Sequence, residues 1–288
     1  MIFVATNIPN NGELTLYADD TTALIKGKNF EEVAIKTKEV SNNLQVWFQL
    51  NKLEINASKT IIVPFSISHT KYEFPPHSDD TMPLKLENEA RFLGIQLNSS
   101  LKWSPHLNKI IPRLTSTIFL LNRLKPITDQ HVLKLAYFGL FQSIATHQIV
   151  FWGGDSVSLE RVLLLQKRCV RIMFNLGQKE SCKDTFISEK LLTMPSLYIL
   201  NICDLVHKKL IITQTGTHSY NTRHSNDLQI TQYRTKFHHT NIDTMSTKIF
   251  NSLPQNIKKI HSNKIFKTKL RKFLIAGAFY TVQQYLTM

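Results

Sequence analysis

The chain has 288 residues, 42% of them hydrophobic and 19% charged, so it is long enough to bury a sizeable core and too apolar for a disordered tail. No apolar run approaches the ~18 residues of a membrane span, and Met1–Ala5 lacks the basic start of a signal peptide. Residues 1–100 carry net −3 and residues 101–288 net +17, which points to an acidic site in the first part and a polyanion-binding surface in the second. Three cysteines, Cys169, Cys182 and Cys203, leave one unpaired and form no CxxC. That favours buried structural thiols in an intracellular chain, nuclear or cytoplasmic rather than secreted.

Glu13–Ala18 alternates like a strand and Thr21–Ile25 follows as a second, with Asp19-Asp20 at or near the tip of the hairpin they form. Gly27 ends the second strand. Asn29 stands three residues before Glu32, a capping-box spacing, and Val33, Thr37, Val40, Leu44 and Trp47 then recur at helical steps on one face. Leu53–Ile55 and Ile61–Phe65 are expected as short strands around the turn Asn56–Lys59, and Ser66–Pro83 as a loop. Leu84–Glu87 and Phe92–Leu97 are expected to form a further hairpin.

After Leu101 the pattern is helical, so the fold class is α+β. Ser104-Pro105 reads as a cap and a proline at the first helical position, with Pro112 kinking or splitting that helix. Further helices are expected over about 128–146, 156–176, 188–214, 244–253 and 262–276, with Gly153-Gly154 between two of them and a polar loop over 215–241.

Asp19 and Asp20 are the sharpest chemical signal. Adjacent strand residues face opposite ways, so the two carboxylates share a site only at a bend. There they repel unless a proton or a cation joins them, and Mg2+ or Mn2+ is the natural partner of such oxygens. Aspartate is also a favoured turn residue, and the dipeptide by itself fits a plain turn equally well. Lys59 by chemistry alone is a solvated turn lysine. His106, Lys109 and Arg113 recur on one arc of the first helix after residue 100, and Lys167, Arg168 and Arg171 form a second cluster. Each is either a phosphate-binding face or a solvated amphipathic helix.

The order of several motifs weights these alternatives. Leu14-Thr15-Leu16-Tyr17-Ala18-Asp19-Asp20 resembles the YxDD box of reverse transcriptases, in the YADD form of non-LTR (LINE-type) retrotransposons. Trp47-Phe48, Leu53 and Asn56–Thr60 resemble the stretch after that box. Phe92-Leu93-Gly94-Ile95 with Trp103 and His106 resembles the hairpin that leads into the thumb. Gln166-Lys167-Arg168 with Arg171-Ile172, Tyr220–Arg223 and Ile249–Pro254 resemble later marks of such elements.

The resemblance implies a partial reverse-transcriptase palm over 1–100, a helical thumb over 101–152 and a basic helical extension over 153–288. It implies RNA-templated DNA synthesis, in which a primer 3′-hydroxyl attacks a dNTP across two metal ions. Asp19 would be the main metal ligand from this box and Asp20 a second. Tyr17 would lie against the primer end and Lys59 near the triphosphate, with Phe92, Leu93 and Gly94 as primer grip. The implied partners are an RNA template with a DNA primer, or an RNA–DNA hybrid, and no membrane.

Only Glu13 precedes the box as a further acid, and the family's earlier palm aspartate and fingers have no counterpart in these residues. The expectation is therefore the C-terminal piece of a larger polyprotein, incomplete and inactive in isolation. The rival expectations are a non-enzymatic nucleic-acid-binding protein and an interaction protein in which the box is only a turn.

Overall fold

Residues 12–18, 20–65, 85–211, 228–229 and 240–288 are described by the computed structural model. They fall into two compact units, residues 1–91 with 97–102, and residues 92–96 with 103–288.

In the smaller unit β1 (Gly12–Tyr17) and β2 (Asp20–Ile25) pair antiparallel, with Tyr17 opposite Asp20. This is the expected hairpin, closed by a two-residue loop. Ala18 in that loop has φ +52°, the left-handed backbone that such loops require. α1 (Phe30–Leu50) follows, and Asn29 caps it as its spacing predicts, its Oδ1 accepting from Glu32 N at 2.8 Å. The Glu32 carboxylate accepts from Lys28 N rather than from the cap residue itself. Thr37 and Val40 are the buried residues of α1.

The expected strand over Leu53–Ile55 is absent; the chain there is irregular. β3 (Ile61–Ile62) pairs in parallel with β4 (Lys85–Leu86), extended by Glu87 N donating to Ile62 O at 2.9 Å. Residues 85–87 therefore do not form an arm of the later hairpin, which is built from β5 (Glu89–Phe92) and β6 (Ile95–Asn98). Its tip is Leu93-Gly94, with φ +45° and +88°. The expected loop over 66–83 lies outside the described residues.

Apart from that hairpin tip, the regular elements of the larger unit among the described residues are helices, with Leu228 in an isolated bridge. α2 (Ser104–Leu124) begins one residue earlier than expected, with Trp103 rather than Ser104 in the cap position, and runs unbroken through Pro112. The proline removes one helix hydrogen bond. Burial of Leu107 and Ile110 before it and Leu114, Ile118 and Leu121 after it outweighs that loss, since each such side chain contributes roughly 1.5–3 kcal/mol.

The next expected helix has three parts. α3 (Gln130–Ala136) is capped by Asp129, a π-helical stretch covers Tyr137–Gln142, and α4 (Ser143–Thr146) ends it. Ser143 N donates to Phe138 O, five residues back, and the π turn lets Tyr137 and Phe141 both point into the core, stacked at 5.5 Å. α5 (Ile149–Trp152) and α6 (Ser156–Phe174) follow, α6 capped by Asp155 and ended at Asn175 with φ +57°.

α7 (Lys183–Ser188) and α8 (Met194–His207) replace the single helix expected over 188–214. Pro195 belongs to the first turn of α8, where its missing N–H costs nothing, and Thr193 caps that turn. α8 is apolar around most of its circumference and forms the centre of this unit. α5, α6, α9 (Ile242–Asn251), α11 (Asn263–Gly277) and α12 (Val282–Leu286) all pack on it. Gly153 is where α5 approaches it: a Cβ there would lie 2.4 Å from the Tyr198 ring. The short α10 (Gln255–Lys258) and α12, which bears a Thr281/Gln284 capping box, were not expected from the periodicity.

Candidate nucleic-acid interface

The box residues sit where a hairpin presents them. Tyr17 ends β1 with 62% of its surface exposed, and Asp20, directly across from it, opens β2 exposed as well. Asp19 lies outside the described residues. Glu13, the other acid of this hairpin, is paired with Lys26 Nζ at 2.6 Å. Lys59 is exposed on the turn that Asn56 organises: Ser58 Oγ donates to Asn56 Oδ1 at 2.6 Å, and Lys59 N and Thr60 N both donate to Asn56 O. Among the described residues no three His, Cys, Asp or Glu side chains gather into a metal-binding group.

In the larger unit the Phe92-Leu93-Gly94 segment turns back at Gly94 and is held by a histidine that the sequence did not single out. His147, at the end of α4, has Nε2 at 3.1 Å from Leu93 O and donates to it. A Cβ on Gly94 would lie 2.5 Å from that same nitrogen, so glycine is needed here for its φ and for the close approach. Trp152 Nε1 donates to His147 O at 3.1 Å and fixes the backbone that carries the ring. Phe92 and Leu93 are half-buried.

The expected arc of His106, Lys109 and Arg113 does not exist as a surface. His106 is only 2% exposed and packs near Trp103 and Trp152, while Lys109 and Arg113 are exposed. The two tryptophans fill what would be its route to solvent. Gln96 N donates to His106 Nδ1 at 3.4 Å, which puts the proton of the neutral ring on Nε2, and that buried atom meets no acceptor among the described residues. Burial first, then the nearby His147, holds the His106 pKa below its ordinary value. Lys109 donates to the Gln96 side chain, so the exposed end of this arc is tied to the same hairpin.

The second cluster is also divided. Lys167 Nζ lies 3.6 Å from the centre of the Tyr280 ring, and desolvation lowers its pKa. Arg171 donates to Glu180 O at 3.0 Å, and Arg168 is exposed. Gln166, in the same motif, is wholly buried. It donates to Tyr137 OH and Leu192 O and accepts from Met194 N, each at 2.8 Å. Asn251 of the later mark similarly holds Leu228 through both its amide atoms, at 2.9 and 2.8 Å. Tyr220–Arg223 lies outside the described residues. All three cysteines are free and buried, with the Cys169 thiol pushed up to about 12 by burial, as structural thiols would be. Among the described residues no helix is long and apolar enough to cross a membrane.

No family model and no solved structure matches the chain. The chain is 27% identical over 168 residues to "Probable RNA-directed DNA polymerase from transposon BS" of Drosophila melanogaster, which covers 57% of this chain. The matched part is 18% of that relative's length. The chain therefore carries a region similar to a transposon-encoded RNA-directed DNA polymerase.

Proposed function

We propose that this chain is part of a non-LTR retrotransposon reverse transcriptase that contacts template and primer, its first hairpin belonging to the palm and its helices to the thumb and a basic extension. The observation that carries the reading is the 27% identity over 168 residues to a transposon RNA-directed DNA polymerase. The exposed Tyr17 and Asp20, facing each other at the end of the first hairpin, agree with it. In this reading Asp19 and Asp20 are ligands of Mg2+ or Mn2+, Tyr17 faces the primer end, and Lys59 meets a dNTP phosphate. Phe92, Leu93 and Gly94 grip the primer, with His147 holding the grip in place.

Two carboxylates of one hairpin cannot surround the two ions of in-line phosphoryl transfer, which lie about 3.5–4 Å apart. The 288-residue chain is therefore expected to bind an RNA–DNA hybrid and not to extend a primer by itself. A primer-extension assay with Mg2+ or Mn2+, run beside Asp19→Ala, tests this. Extension that disappears in Asp19→Ala would show a complete site. Absence of hybrid binding at low salt would remove the nucleic-acid reading altogether.

A further inference from the structure

From Thr244 to Met288 the chain has eight Lys and Arg and no Asp or Glu. Five of these cations are on α11, all exposed: Lys264, Lys267, Lys269, Arg271 and Lys272. The opposite face of α11, Phe266, Leu270 and Leu274, is fully buried in the core of the larger unit. His207 stacks on Phe266 at 4.1 Å and its Nε2 donates to Ile260 O at 2.7 Å, which seats the end of α8 beside the start of α11. There Lys208 and Lys267 share one acid, Asp204 Oδ2, at 2.8 and 3.5 Å, so even the acid of this neighbourhood leaves a net positive charge.

We propose that the outward face of α11, with the last turn of α8, is the principal phosphate-binding surface of this chain. The inference rests on the nucleic-acid reading above and locates it. The two clusters read from the sequence are poorer candidates because their cations already serve the fold: His106 is buried, Lys109 holds Gln96, Lys167 lies on Tyr280 and Arg171 holds Glu180 O.

On α11 the apolar stripe is committed to the core, so the helix has no free apolar face to insert into a lipid surface. What it presents is positive charge without an acid of its own. Lys264 to Lys272 spans about 12 Å of helix axis, and one strand of a duplex carries a phosphate about every 3.4 Å of its axis. One strand therefore sets about three to four phosphates along this face, and point charges on flexible stems hold it without reading sequence.

The test uses the full chain and a short RNA–DNA hybrid, with filter binding at several salt concentrations. The quadruple variant Lys264→Gln, Lys269→Gln, Arg271→Gln, Lys272→Gln should lower the log–log salt slope by roughly three to four, since each phosphate contact contributes about 0.7–0.9. Its melting temperature should match the parent's, because all four side chains are exposed. A Lys109→Gln, Arg113→Gln, Arg168→Gln variant should lose the smaller share.

A steep parental slope that the quadruple variant leaves unchanged overturns the α11 assignment and leaves the nucleic-acid reading standing. So does a larger loss in the triple variant. No binding by the parent at low salt overturns both. Loss of binding to phosphatidylserine vesicles in the quadruple variant, with hybrid binding intact, would reassign the face to anionic lipid.

Discussion

In the smaller unit α1 buries only Thr37 and Val40, and the β1–β2 hairpin leaves Leu16, Tyr17 and Leu24 about half exposed. In the larger unit α8 alone buries ten side chains, and helices that precede and follow it in the sequence close around it. A two-stranded hairpin has little stability of its own. The motif nearest to chemistry thus stands on the less consolidated unit, while Gln166–Ile172 and Ile249–Pro254 are built into or against a core. Gln166 shows what that means. Within a run that reads as a basic, phosphate-facing helix, it is the residue that joins α6, the π turn and the start of α8.

Removing that junction is the strongest way to break the contrast. Gln166→Leu keeps the volume near constant but leaves Tyr137 OH, Leu192 O and Met194 N buried without their partners. At about 1–3 kcal/mol for each stranded group, the larger unit should lose roughly 3–5 kcal/mol. Urea unfolding followed by far-ultraviolet circular dichroism measures it, and hydrogen exchange should show the loss in α6 and α8 and not in α1. A loss under 1 kcal/mol, or one spread equally over α1, would mean that the two units do not differ in the way their burial indicates.

The hairpin tip at Leu93-Gly94 sharpens the same contrast, because it is a polymerase-like motif that belongs to the well-packed unit. Gly94→Ala meets two obstacles, a φ of +88° and a Cβ 2.5 Å from His147 Nε2. It should destabilise by about 2 kcal/mol, combining left-handed strain with displacement of the histidine. His147→Ala removes one hydrogen bond and should cost about 1 kcal/mol. In the double variant the two losses should fall short of their sum, since both act on one contact. Additive losses would show that the ring and the tip are energetically separate.

Much of this was legible in the sequence where the physics is local. The first hairpin and the Asn29 cap depend on neighbouring residues, and the sequence announces them. The turn at Leu93-Gly94 does not show in that way, because Phe92–Leu97 reads as one strand and the chain turns inside it. The pairing of Ile61–Ile62 with Lys85–Leu86 joins segments more than twenty positions apart, and a two-residue strand has no period to detect. His147 carries no signal either, because its role comes from meeting Leu93 O, 54 positions away. His106 misled for a different reason. Its spacing to Lys109 and Arg113 is that of a surface stripe, but Trp103 and Trp152 enclose the ring. The α11 cations were visible in the composition and were diluted by counting charge over the whole of residues 101–288.

The smallest expected effect, a pH dependence, has the same sign in both units and separates them by window. His106 is a base whose pKa is held down, mainly by burial. Its neutral form is favoured in the folded state, so its contribution is full above the ordinary histidine value near 6.5 and is lost as pH falls through the folded value. Glu32 in α1 is an acid whose pKa is lowered, first by its hydrogen bond from Lys36 and then by that from Lys28 N. Its contribution is full above 4.5 and is lost only as pH falls below that. On acidification from pH 8 the larger unit should therefore start to lose stability first, below about 6.5, although it is the better packed. Urea midpoints taken at intervals from pH 8 to pH 4, with exchange resolved for α2 and α1, read the two windows. His106→Gln should flatten the upper window and leave the lower one in place. An upper window that persists in His106→Gln would show that burial of His106 is not its source.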